Sequence, residues 1–367
     1  MPSTPTLPDP QALIRETRAA YRSLLGGGFA DMRRMPSALI LDEPKCGVHR
    51  YEPTAAQTDA LPVLLIPPMA APATCFDLRR GCSLVEDLLS TGRPTYLVDY
   101  GDISSLRDQD LGLEHWIDTV LPDAIRAVIA DSGADGVHLV GWCLGGILEM
   151  FTAAAHPDLP IASVTAVASP FDFREVRVLD PVRWMETLTG GTLTTALVRT
   201  LGGIPGRLNG WIYRWLDPVK QIKKPLVQLA NRDDPDTLAQ IEACDVLMDS
   251  MEAYPGRSIS QIYHSLIRTN RFSEGHLVLA DHRIVDLADV TVPVMAIAGT
   301  GDLFFAPKTS AFHVADLLTN SPRVRLETAP GGHLGVLTGR TARDTTWSYI
   351  EEFLAESETH EVATADS

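Results

Sequence analysis

Residues 136–157, GVHLVGWCLGGILEMFTAAAHP, constrain the chain more than any other stretch. A short apolar run breaks at glycines and continues directly as a helix, which ends at His156-Pro157. The turn between them is Gly141-Trp142-Cys143-Leu144-Gly145-Gly146. This is the context of a nucleophile elbow, with cysteine where serine is the commoner residue. The turn needs its glycines, because side chains beside the nucleophile would collide with strand and helix. It also points the sulfur at a helix N-terminus, where partial positive charge and the Leu144 N–H favour a thiolate and then an oxyanion. The same pattern also fits an inert cysteine buried in a glycine-rich turn.

The flanking sequence repeats the strand-then-helix alternation. LPVLLIPPM, RPTYLVDYG and IASVTAVASP are short apolar runs bounded by turn residues. SLVEDLLSTG and GLEHWIDTVLPDAIRAVIADSG have helical spacing. The alternation predicts a mostly parallel sheet covered by helices on both faces. It stops near residue 173, and residues 174–290 are helix-leaning, with Trp184, Trp211 and Trp215 among them. It resumes with VPVMAIAGTGD, TSAFHVADLLT, VRLETAPGGHLG and TARDTTWSYIEEFLAES.

Two later loops complete a candidate triad. Asp302 follows the VPVMAIAG strand, and His333 stands in Pro330-Gly331-Gly332-His333 after the next one. The order Cys…Asp…His, each on the loop after a strand, is the order of the α/β-hydrolase fold. Alone, Asp302 reads as a turn aspartate and His333 as an ordinary surface or structural histidine. Asp281, Asp286 and Asp289 are weaker rivals to Asp302, because they precede the strand. A second oxyanion donor is expected from the loop Pro67-Pro68-Met69-Ala70, where proline has no N–H. Met69 or Ala70 is therefore the candidate beside Leu144.

Composition excludes several classes. The net charge of −16 opposes nucleic acid and anionic headgroups. Five scattered cysteines, an odd number without a metal-ligand cluster, give no disulfide framework and no metal site. No signal-peptide pattern or transmembrane segment is found, so a cytoplasmic protein is expected. The N-terminal region, residues 1–50, reads as an arm with one helix over 11–25. The remaining divisions are 51–173 and 291–357 as the two parts of the core, 174–290 as a helical cap and 358–367 as a polar tail.

The motifs GWCLGG, LLIPPM, LVDYG and SPFDF, with Asp77, resemble the polyhydroxyalkanoate synthase family. So do the long block from YPGRSISQIYH to VPVMAIAGTGD, and APGGHLGV; the likeness covers residues 60–355. Leu303 stands where that family usually has histidine, and Tyr100 where it often has tryptophan. The short N-terminus is similar to the small synthases that work with a second subunit.

The resemblance implies an acyltransferase that moves 3-hydroxyacyl groups from CoA thioesters, through a Cys143 acyl-enzyme, to a hydroxyl or a growing polyester. It implies no cofactor, a second synthase subunit or a homodimer as partner, and a place on polyester or lipid granules. Cysteine suits this chemistry, because a thioester acyl-enzyme keeps the driving force for transfer. A thioesterase, esterase or depolymerase would use the same triad with water. A non-catalytic granule scaffold is the third reading. A cap closed over Cys143 is expected if transfer must outrun hydrolysis.

Overall fold

The computed structural model describes residues 28–190, 202–215 and 218–365, with Ala196 and Thr200. The helix expected over 11–25 lies outside the described residues. The chain begins with a hairpin, β1 (Ser37–Glu43) and β2 (Cys46–Tyr51), followed by β3 (Val63–Ile66), α1 (Leu84–Ser90) and β4 (Thr95–Asp99). Then come α2 (Leu121–Ser132), β5 (Val137–Trp142), α3 (Leu144–Ala155) and β6 (Ile161–Val167).

The chain next leaves the sheet. The excursion holds α4 (Asp180–Thr189), β7 (Gly203–Ile204), α5 (Gly206–Trp215), α6 (Pro218–Ala230) and α7 (Pro235–Asp249). It continues through β8 (Tyr254–Pro255), α8 (Gly256–Gln261), β9 (His276–Val278) and β10 (Ile284–Asp286). The core resumes with β11 (Val294–Gly299), β12 (Val324–Ala329) and α9 (Ser348–Ala365).

The main sheet has eight strands in the order β1-β2-β4-β3-β5-β6-β11-β12. From β4 to β12 every pair is parallel; β2 joins β4 antiparallel and β1 extends that edge. Every residue of β3, β5, β6 and β11 is buried, which is why these strands appear in the sequence as largely apolar runs. One face packs against α2 and α3 through residues such as Leu121, Ile125, Leu148 and Phe151. The other packs against α1 and α9 through Leu84, Leu88, Ile350 and Phe353. Each such side chain contributes about 1.5–3 kcal/mol by leaving water.

Three divisions expected from sequence differ here. Residues 37–50, assigned to the N-terminal arm, form with Tyr51 the antiparallel edge of the sheet, where Val48 pairs with Val98. The excursion also contains strands, as the short ribbons β7–β8 and β9–β10. The polar tail begins inside a helix. Phe353, Leu354 and Ser357 are buried along α9, and the Glu358 carboxylate binds the Leu61 N–H at 3.2 Å and lies 3.1 Å from His138 Nε2, so the helix continues.

The excursion is seated on the core at several points. Glu252 donates its N–H to the Ala70 carbonyl at 2.9 Å, and Arg257 to the Gln109 carbonyl at 2.8 Å. On its other side, buried Arg79 binds Gln240 at 2.9 Å and Asp236 at 2.7 Å. Gln240 in turn donates to the Thr338 carbonyl at 2.7 Å.

Candidate active site

Cys143 stands between β5 and α3 with φ 55° and ψ −118°, a backbone conformation that a non-glycine residue adopts only under constraint. The constraint is visible on both sides. The Cys143 N–H donates to the Val167 carbonyl at 2.8 Å, continuing the β5–β6 ladder through the turn. A Cβ at Gly141 would sit 2.5 Å from the Gly146 nitrogen, and one at Gly145 would collide with the Ile66 carbonyl oxygen. The sulfur-bearing residue is partly buried and its thiol is unpaired.

Asp302 and His333 come from neighbouring strands. The parallel pairing of β11 with β12 brings Gly299 opposite Ala329, so the loops that follow lie side by side. Thr300 donates to the Ala329 carbonyl at 2.9 Å and Gly301 to the Gly331 carbonyl at 2.7 Å. Between the loops, His333 Nδ1 and Asp302 Oδ2 are 2.6 Å apart. Asp302 Oδ1 also accepts the Phe305 N–H at 3.1 Å.

Burial works against the Asp302 anion, but the bond from His333 outweighs it, and the carboxyl group stays below its usual value. Burial likewise disfavours charge on His333. The neighbouring Cys143 sulfur and the Asp302 carboxylate outweigh that and hold the ring up at about 10. Because Nδ1 is turned to Asp302, Nε2 is the atom left for the sulfur, and it is buried. The ring is held from both faces. Phe305 stacks on it at 4.7 Å and Trp142 lies at 5.4 Å, while Trp142 Nε1 donates to the His333 carbonyl at 3.1 Å.

The oxyanion candidates come from the ends of two paired strands, β3 and β5. Leu144 opens α3, where N–H groups have no intrahelical acceptor. Met69 and Ala70 lie in the turn after β3, and neither donates its N–H to another group among the described residues. Tyr100 donates its hydroxyl to the Pro67 carbonyl at 3.1 Å, which anchors this turn. The rivals to Asp302 are elsewhere: Asp286 sits against His276 at 3.0 Å and caps a short turn through the Ala288 N–H.

Two of the cap's tryptophans are exposed. Trp184 is 67% exposed and Trp211 is 49% exposed, and the Trp215 side chain is outside the described residues. Tyrosines approach the site instead. Tyr213 of α5 stacks on Phe305 at 5.2 Å with the rings 2° from parallel. Its hydroxyl oxygen is 3.4 Å from that of Tyr254. Burial raises the pKa of both phenols, and Cys143 lies near enough to raise them further. A column Tyr213–Phe305–His333 thus joins the cap to the triad histidine. Sequence reasoning missed Phe305, Tyr213 and Tyr254, although Phe305 stands three residues after Asp302 and Tyr254 opens the YPGRSISQIYH block.

The chain is similar to known proteins over most of its length. The poly(3-hydroxyalkanoate) polymerase subunit PhaC of Allochromatium vinosum is 26% identical over 90% of this chain and 92% of its own length. The same subunit of Thiocystis violacea is 25% identical over 88% and 89%, and that of Synechocystis sp. is 25% identical over 84% and 82%. Among solved structures, a monoacylglycerol lipase of Paleococcus ferrophilus superposes with a TM-score of 0.51 at 17% identity, over 84% of this chain and 99% of that one. Rv0554 from Mycobacterium tuberculosis gives a TM-score of 0.50 at 17% identity, over 82% and 91%. These structures share the α/β-hydrolase fold with the chain. The chain is a divergent relative of the PhaC polymerases. A family model described as "Protein of unknown function (DUF3141)" matches residues 53–330, and the chain belongs to that family.

Proposed function

We propose that this enzyme transfers 3-hydroxyacyl groups from CoA thioesters to a hydroxyl acceptor, with Cys143 as the covalent carrier. The observation that carries the reading is a cysteine at the elbow of a fold whose acid and base, Asp302 and His333, are already paired at 2.6 Å. The Cys143 thiolate attacks the thioester carbonyl carbon. The N–H groups of Leu144 and of Met69 or Ala70 receive the oxyanion. The tetrahedral adduct collapses, and the departing CoA sulfur takes a proton from His333 Nε2. The acceptor hydroxyl then gives its proton to Nε2 as its oxygen attacks the acyl-enzyme, and the Cys143 thiolate is released. Asp302 holds the ring and stabilises its charged form throughout.

Thiol-to-thiol exchange in the first half costs little free energy, and the second half descends from thioester to oxyester. Repetition on the hydroxyl of the product would build a polyester. Trp184 and Leu188 on α4, and Leu226 and Leu229 on α6, are exposed apolar side chains to which such a chain or granule could bind. Among the described residues, no helix is long and apolar enough to cross a membrane.

The test is incubation of the purified chain with 3-hydroxybutyryl-CoA, following CoA release, free acid and polymer together. Transfer predicts CoA release with oligomer or polymer. CoA release matched by free acid identifies a thioesterase, and no CoA release overturns the reading. A parallel arm with added second synthase subunit shows whether the chain acts alone.

A further inference from the structure

Tyr213 and Tyr254 are forty-one residues apart in sequence, yet their hydroxyl oxygens meet at 3.4 Å. Tyr254 is 8% exposed, on the ribbon β7–β8, and Tyr213 lies on the helix that follows β7. Their placement is fixed independently of any ligand. The Tyr213 ring stacks on Phe305, and Phe305 stacks on His333. The Tyr254 strand is held by pairing with Gly203 and Ile204, where a Cβ at Gly203 would collide with the Tyr254 carbonyl oxygen. Asn209 Nδ2 donates to the Glu252 carbonyl at 3.0 Å and secures the same segment to α5.

The separation of 3.4 Å is longer than an ordinary O–H···O bond, so the two phenols satisfy each other poorly. If one donates to the other, one O–H proton and several lone pairs remain unused. A third hydroxyl placed between them could accept one bond and donate another. Nearby surfaces are aromatic: Phe305 and Trp142 against the His333 ring. In such surroundings, polar groups without a partner are costly, and a ligand that supplies one is favoured over an isostere that does not.

We infer that the Tyr213–Tyr254 hydroxyl pair is a specificity site that receives the hydroxyl of a hydroxyacyl chain carried on Cys143, discriminating it from the plain acyl chain. The inference rests on the acyl-transfer reading of the same site. The column Tyr213–Phe305–His333 ties the pair to the ring that serves Cys143. The pair is built from the cap and the aromatic contact from the loop after β11, so the site is complete only with the cap in place.

The experiment compares single-turnover loss of the thioester absorbance of 3-hydroxybutyryl-CoA and butyryl-CoA, in the wild type and in the variants Tyr254→Phe and Tyr213→Phe. Phenylalanine keeps the ring, so the stack on Phe305 survives and circular dichroism checks the fold. The wild type is expected to favour the hydroxyacyl thioester, and each variant to lower that preference by about tenfold. An unchanged ratio in both variants overturns the inference and leaves the acyl-transfer reading standing. Equal losses on both thioesters also overturn it, because the phenols would then serve the carbonyl oxygen common to both. Absence of thioester loss with either substrate in the wild type overturns the acyl-transfer reading itself.

Discussion

Gly301 donates its backbone N–H to the carbonyl oxygen of Gly331 at 2.7 Å, and this bond ties the loop of Asp302 to the loop of His333. Gly331 has φ 127°, and a Cβ there would lie 2.6 Å from the Gly335 carbonyl carbon and 2.7 Å from the Val336 nitrogen. We predict that Gly331→Ala displaces His333 and lowers turnover by roughly a hundredfold, since small misplacements of catalytic groups cost that much. Melting temperature and turnover should be measured together. Near-normal turnover in a folded variant would show that the loop tolerates the shift.

Asp302→Asn removes one of the charges that hold the His333 ring at about 10. Loss of that support lowers the folded-state pKa, so the ring should give up its proton at lower pH than in the wild type. Imidazole resonances followed by NMR titration report this directly. Turnover should fall by roughly a thousandfold. A titration that moves upward, or not at all, would contradict the pairing of the two residues.

Cys143→Ser should keep the elbow and lose most activity, because the serine acyl-enzyme is an oxyester without driving force for transfer. A drop of roughly a thousandfold is expected, with hydrolysis rising relative to transfer. Transfer at the wild-type rate would remove the thioester from the explanation.

Much of this site was legible before folding because of how parallel sheets are made. Strands buried on both faces leave apolar runs, and the loops of the candidate site follow those runs directly, so Cys143, Asp302 and His333 could each be placed by what precedes them. The edge hairpin was not legible. β1 is largely exposed and β2 only alternates between buried and partly exposed positions, so neither leaves an unbroken apolar run. The cap aromatics were not legible for another reason. Tryptophan marks large side chains, but contact depends on which face a helix presents, and α5 presents Tyr213 to Phe305 while Trp211 faces outward. The meeting of Tyr213, Tyr254 and Phe305 joins distant segments that share no local pattern.

The far end of the sheet carries a pH-dependent tie. Burial works against the Glu358 charge, but the bonds from His138 and Arg93 hold its carboxyl group down at about 2, below an ordinary glutamate. A depressed carboxyl contributes stability above its unfolded pKa and loses it as pH falls through the folded value. The loss should therefore develop from the ordinary glutamate range near 4.3 down to about 2. Glu358→Gln should melt lower at neutral pH and show less acid dependence across that window. Identical melting profiles for the two proteins, measured by circular dichroism, would show that the tie contributes nothing.

Intact-protein and peptide mass spectrometry after brief mixing with 3-hydroxybutyryl-CoA tests the covalent carrier most directly. Our account predicts a mass increase of one 3-hydroxyacyl group or its oligomer, located on the peptide containing Cys143, lost on addition of hydroxylamine and absent in Cys143→Ala. An adduct on another residue, or thioester turnover undiminished in Cys143→Ala, would contradict it.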